Sequence, residues 1–159
     1  GVSRILPFAS RHSLPRPDGA DRVKLERWNR IVKEARQQSG SPVATELSPP
    51  TDTPGLIRWW QEHRSREPGS IAVLLHQDPL AQGTLHGYLS GEIGSVVLAV
   101  GPEGGFSAEE TALFMANGFK PVLFGASVLR TETAALYAVA ATQVLLLEKK
   151  TWILNASPA

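Results

Sequence analysis

Cysteine is absent from the 159 residues, which excludes a disulfide framework and a thiolate metal site. No metal site is assigned to the remaining residues. Long apolar runs are missing too. The longest is interrupted by Thr142 and Gln143 and falls short of the roughly 20 residues that span a bilayer, so no membrane partner is expected. No signal-peptide pattern is present at the start. Neither sign of charge dominates: 16 Lys and Arg stand against 15 Asp and Glu, a net +1. Composition alone therefore does not announce a nucleic-acid binder, and any such contact must come from local basic patches or a partner domain. The G-x-G-x-x-G dinucleotide spacing is absent, and no Gly-Lys-Ser/Thr follows a glycine-rich turn as a P-loop needs. A hydrophobic content of 42% with 19% charged residues is ordinary for one globular domain with its own core. That domain is expected over residues 1–150, with 151–159 as a loose tail. The first residue is Gly1 rather than Met, which reads as a fragment, a processed form or an ordered core.

The most organised stretch runs from Leu98 to Ala135. Two apolar runs are each followed by a glycine-containing turn, and each turn opens a helical pattern. The first turn is Gly101-Pro102-Glu103-Gly104-Gly105-Phe106 and the second begins at Gly125. Glycine permits a positive φ and lets a ligand approach the backbone, while Pro102 fixes φ and removes a donor. Ser107 with Glu110 three residues on reads as a capping box. Alone, the first turn is equally a well-made strand–turn–helix junction. Two such turns about twenty residues apart could line one pocket, because loops after the carboxyl ends of strands are where α/β folds hold ligands.

The rest of the chain alternates strands and helices. Val2 to Phe8 reads as a strand, followed by the polar loop 9–20 carrying Arg11, His12 and Arg16. This loop is either a solvated surface or a phosphate contact. With Asp21 as N-cap, the next helix spaces Trp28, Ile31, Val32 and Ala35 on one face, which is expected to be buried. Arg22, Lys24, Arg27, Arg30, Lys33 and Arg36 make it basic, for solubility or as a nucleic-acid-facing surface. Gln38-Ser39-Gly40 ends it. Val43 to Leu47 is a short strand candidate, and 48–55 a proline-rich connector. A helix from Leu56 to about His63 carries Trp59 and Trp60, which either pack on a sheet or stack bases. Ile71 to Leu75 suits a buried parallel strand, with His76 at its end. Ile93 to Val100 and Pro121 to Phe124 are further strands, and the helix from Ser107 stops at Asn117-Gly118. The last helix, from about Thr131 to Glu148, is apolar nearly all round, so it is expected to be buried on several sides, in a dimer interface or within a monomer. The alternation gives an α/β fold with a parallel sheet.

The two turns together carry a resemblance. Val-Gly-Pro-Glu-Gly-Gly-Phe-Ser at 100–107, followed by Leu-Arg-Thr-Glu-Thr-Ala-Ala at 129–135, resembles the SPOUT superfamily of RNA methyltransferases. Within it, the likeness is to enzymes that methylate N3 of a uridine in 16S ribosomal RNA. Gly1-Val2-Ser3-Arg4-Ile5 and Gln38-Ser39-Gly40 are further landmarks. The resemblance implies a C-terminal deep trefoil knot, S-adenosylmethionine as cofactor, 16S rRNA or the small ribosomal subunit as partner, a homodimer and a cytoplasmic location. It places cofactor binding on Leu75, His76, Gly101, Pro102, Glu103, Gly104, Gly105, Phe124, Gly125, Val128 and Leu129. Catalytic roles fall to Arg130, stabilising a uracil oxygen or a phosphate, and to Glu132, which either orients Arg130 or caps the last helix. RNA contacts fall to Arg11, Arg16, Arg22 and Arg27. Members of the family also carry an N-terminal PUA-like barrel and a first strand and helix that nothing here matches. Ser41 and Ser127 stand where they usually have arginines. The alternatives are a SPOUT-like protein that binds RNA or dimerises without methylating, and an unrelated α/β enzyme acting on a nucleotide.

Overall fold

The pentapeptide Ile71–Leu75 becomes β5, the middle strand of a three-stranded, wholly parallel sheet. β6 (Val96–Ala99) lies on one side of it and β7 (Phe119–Val122) on the other. The computed structural model describes residues 1–13, 22–76, 80, 83–125 and 128–155, without the side chains of 22, 23 and 150–155. Side chains alternate across a strand. Ala72 and Leu74 enter one hydrophobic cluster with Leu56, Trp60, Phe114 and Phe119. Val73 enters the other with Leu85, Leu89 and Val122, and Ile71, Leu75, Ala141 and Leu145 pack around it. Helices thus cover both faces: α2 (Thr53–Arg66) and α4 (Ala108–Ala116) on one, α3 (Leu85–Tyr88) and α5 (Thr131–Asn155) on the other. This is the expected α/β architecture. Val73 and Leu74 are fully buried, a contribution of about 2 kcal/mol each.

Phe114 anchors the α4 face. Its ring meets Phe119 edge-on at 4.9 Å and Phe106 at 5.0 Å. Trp60 is buried against Phe119 and donates its indole N–H to the Asn117 carbonyl. Trp59 stacks on His63, under the Arg4 guanidinium. The tryptophan pair is therefore engaged in packing.

Several boundaries differ from the sequence reading. The strand expected at Val2 to Phe8 is two short pieces, β1 (Arg4–Ile5) and β2 (Phe8–Ala9), pairing with β3 (Glu46–Leu47) and β4 (Thr51–Asp52). Pro7 has no N–H to continue a ladder, although its carbonyl accepts from Thr51. The expected connector 48–55 holds β4 and the start of α2. Asp52 caps that helix by accepting from the Gly55 N–H at 2.8 Å, and Pro54 sits in its first turn. The expected strand 93–100 begins only at Val96. β7 begins at Phe119, because Gly118, at φ +84°, turns the chain straight out of α4. Pro121 is tolerated inside β7 as an edge-strand residue.

The burial expectation on α1 (Arg22–Ser39) is corrected, and so, on α5, is the alternative of burial within a monomer. On α1, Ile31 is 49% exposed and Ala35 is exposed, while Trp28 and Val32 are only half-buried. Of the described elements, α1 contacts chiefly the two-residue β3, too little to cover its apolar stripe. On α5, Ala138 and Thr142 are buried, yet Leu136 is 74% exposed and Leu147 63%, with Tyr137 and Val144 also exposed. The inner face meets the sheet and the outer face is open. This helix runs past residue 150 to Asn155. Among the described residues, no helix is long and apolar enough to cross a membrane.

Candidate functional site

Parallel pairing brings the carboxyl ends of β6, β5 and β7 to one edge of the sheet. The segments that leave these strands line a cavity of about 330 Å³ there. All eleven residues assigned to cofactor binding line it: Leu75 and His76 after β5, Gly101 to Gly105 after β6, and Phe124, Gly125, Val128 and Leu129 after β7. Val100, Phe106, Val122, Leu123, Thr131 and Ala134 complete the wall.

The first turn is held from within and without. Gly105, at φ +66°, donates its N–H to the Pro102 carbonyl at 2.8 Å. A Cβ on Gly101 would stand 3.1 Å from the Phe106 ring, so the ring seats against bare backbone. The capping box is present as expected. Ser107 Oγ accepts from the Glu110 N–H at 3.2 Å, and Glu110 Oε2 accepts from the Ser107 N–H at 3.0 Å. The two turns are joined directly, because the Thr131 hydroxyl donates to the Gly101 carbonyl at 2.9 Å. His76 extends β5 by donating its N–H to Val122, and its Nε2 lies 3.4 Å from the Thr111 hydroxyl.

Arg130 and Glu132 are exposed and outside the lining, although Arg130 lies in sequence between the lining residues Leu129 and Thr131. The Arg130 carbonyl accepts from Ala134, and Glu132 occupies the first turn of α5, where a carboxylate complements the helix dipole. Arg11 has its guanidinium 3.3 Å from Glu109 and its N–H on Glu110. That ion pair is exposed on both sides and contributes little. Arg27 is exposed on α1. Arg16 and Ser127 lie outside the described residues, as does the side chain of Arg22.

Two residues that bond to the first turn had no role in the cofactor site assigned from the sequence. Thr131 is inside the second motif, but its bond to Gly101 is a tertiary fact. His12 places Nδ1 3.0 Å from the Gly104 carbonyl and 3.2 Å from that of Gly105. No local pattern marks a contact across ninety residues.

The family model for the RNA methyltransferase domain matches residues 1–143. The chain belongs to this family. Ribosomal RNA small subunit methyltransferase E of Aquifex aeolicus is 34% identical over 87% of the chain, and that of Synechocystis is 36% identical over 92%. These matches cover 56% and 46% of the relatives, so the chain spans about half their length. Two solved structures, each with 91% of the chain aligned to 56% of theirs, are also similar. A Legionella pneumophila methyltransferase in complex with S-adenosylmethionine has a TM-score of 0.77 at 32% identity. Ribosomal RNA small subunit methyltransferase E of Neisseria gonorrhoeae, bound to the same molecule, has 0.76 at 30%.

Glu110 links the family's first turn to the rest of the chain. Burial alone would raise its pKa. Hydrogen bonds from the Ser107 N–H, the Thr53 hydroxyl and the Arg11 N–H outweigh that, so its carboxyl sits below the ordinary value. A depressed acid contributes its full stability above the unfolded pKa of about 4.3 and loses it as pH falls through the folded value. Glu110→Gln is therefore expected to lower stability by about 1 kcal/mol at neutral pH and to flatten the acid-side loss. Urea unfolding between pH 3 and 7 checks this; an unchanged acid slope contradicts it.

Proposed function

We propose that the chain is an S-adenosylmethionine-dependent ribosomal RNA methyltransferase acting in the cytoplasm on N3 of a uridine in 16S rRNA. The observation that carries this reading is the convergence of both glycine turns and the β5 end on one cavity, in a chain of the RNA methyltransferase family. The residues present suit the cofactor. A cavity of about 330 Å³ is at the lower end of small-molecule pockets. Leu75, Phe124 and Leu129 offer apolar walls for an adenine ring, and the Gly101–Gly105 backbone offers polar groups to its edge. Glu103 supplies a carboxylate, which suits a cationic sulfonium. Bound there, S-adenosylmethionine would supply an electrophilic methyl group.

The remaining chemistry falls to the chain. Uracil N3 must give up its proton, to solvent, before it accepts a methyl group, and the negative charge then spreads onto the flanking oxygens. Arg130, emerging between two lining residues, stabilises such an oxygen or the nucleotide phosphate. Glu132 orients Arg130 or supports the start of α5. Holding target and cofactor in line supplies much of the acceleration. Arg11, Arg16, Arg22 and Arg27 contribute to the RNA surface. In the same reading the segment from Gly125 through α5 threads a deep trefoil knot, which tracing the chain in a crystal structure tests. Ser41 and Ser127, where the family resemblance implies arginines, favour a second reading: an RNA-binding or dimerising relative without methyl transfer.

Calorimetry is expected to show saturable binding of one S-adenosylmethionine per chain, lost in Gly105→Val, since a β-branched residue does not tolerate φ +66°. Labelled methyl should then pass to N3 of a uridine in 16S rRNA. Retained binding in the variant counts against the pocket, and binding without transfer selects the second reading.

The open face of α5 supports a homodimer, because Leu136, Tyr137, Val144 and Leu147 form an apolar surface on one helix. Sedimentation at micromolar concentration is expected to read a dimer, converted to monomer by Leu147→Glu. A wild-type monomer overturns the dimer.

A further inference from the structure

We infer that His12 is a positioning residue for the cofactor turn, bracing Gly104-Gly105 through Nδ1–H. The inference rests on reading the cavity as the S-adenosylmethionine site. Nδ1 lies within hydrogen-bond distance of two carbonyl oxygens, 3.0 Å from Gly104 and 3.2 Å from Gly105. A carbonyl only accepts, so the proton is on Nδ1, whether the ring is neutral or charged. The contact is close as well as polar. A Cβ on Gly104 would stand 3.1 Å from the His12 Cβ, so the imidazole rests against a backbone with no side chain of its own.

The ring is carried on a segment that is itself fixed. Ser13 donates its N–H to the Ser10 carbonyl at 3.1 Å, and the Ser13 hydroxyl accepts from the Ser10 N–H at 3.0 Å. The two hydroxyls are also 3.0 Å apart, and Ser10 is buried. Between them, the Arg11 N–H is held by Glu110 Oε1 at 3.0 Å. Thr53, at the start of α2, donates to the same oxygen at 2.8 Å. His12 therefore projects from a turn that is tied at both ends and in its middle.

What this does for the site follows from peptide planarity. The Gly104–Gly105 peptide is gripped at its carbonyl by His12 and at its N–H by the Pro102 carbonyl. The next peptide, Gly105–Phe106, is gripped at its carbonyl by the same ring, which sets the direction of the Phe106 N–H. Glycines leave a turn free to adopt many conformations, and that freedom would have to be lost on binding. His12 removes it beforehand, so the backbone groups of the turn are already aimed when the cofactor arrives.

The test uses two amides of different reach in the full chain. The Asn side-chain nitrogen occupies roughly the place of Nδ1, and that of Gln roughly the place of Nε2. His12→Asn is expected to bind S-adenosylmethionine within about two-fold of wild type. His12→Gln and His12→Ala are expected to bind about five- to ten-fold more weakly. Calorimetry reads the affinities, and thermal unfolding without ligand confirms that each variant is folded. Equal affinity across wild type and all three variants overturns the inference alone. Equal weakening of Asn and Gln variants also overturns it, because a brace through Nδ1 distinguishes them. A wild-type chain that binds no S-adenosylmethionine overturns the pocket reading, and this inference with it.

Discussion

Burial of β5 on both faces is the constraint from which the rest follows. Ile71–Leu75 has no polar side chain, so it must be covered above and below. Ala72 and Leu74 face the aromatic cluster of α2 and α4, and Val73 faces α3 and α5. Covering both faces of a parallel strand requires helices between successive strands. That connection places β6 and β7 on either side with their carboxyl ends together. The cavity is at that edge because every chain segment leaving the sheet there must turn away from it.

Polar contacts carry this order into the first turn. The first turn is closed by Gly105 on Pro102, tethered to α4 by the capping box, and joined to the second by Thr131 on Gly101. Glu110 extends this order outward, since one carboxylate serves the α4 cap, the loop after β2 and the start of α2. Parts of the chain far apart in sequence thereby share one set of hydrogen bonds around the site.

What could be read from the sequence was local. β5 lies where its compact apolar run puts it, and Ser107, Glu110, Asn117 and Gly118 mark the ends of α4 as their side chains and backbone freedom dictate. The eleven cofactor residues were assigned by resemblance, on the two motifs and one strand end, and that they line one cavity is what the structure adds. What was not legible depends on partners. The α1 stripe has helical spacing, but spacing does not reveal that, of the described elements, chiefly a two-residue strand lies against it. The apolar α5 shows composition, not which face the sheet takes. Asp52 before Thr53-Pro54 was a readable helix start hidden by the neighbouring prolines. His12 had no local signature, because its partners are ninety residues away.

The central claim is that the two glycine turns and the end of β5 form one binding site. Backbone amide shifts in an isotope-labelled chain, followed while S-adenosylmethionine is added, test it most directly. The account predicts saturable shifts concentrated at residues 75–76, 101, 103–106, 124–125 and 128–131. The Ser70 and Ser95 region, at the opposite edge of the sheet, should be unmoved. Shifts centred on that opposite edge, or none at saturating ligand, would contradict it.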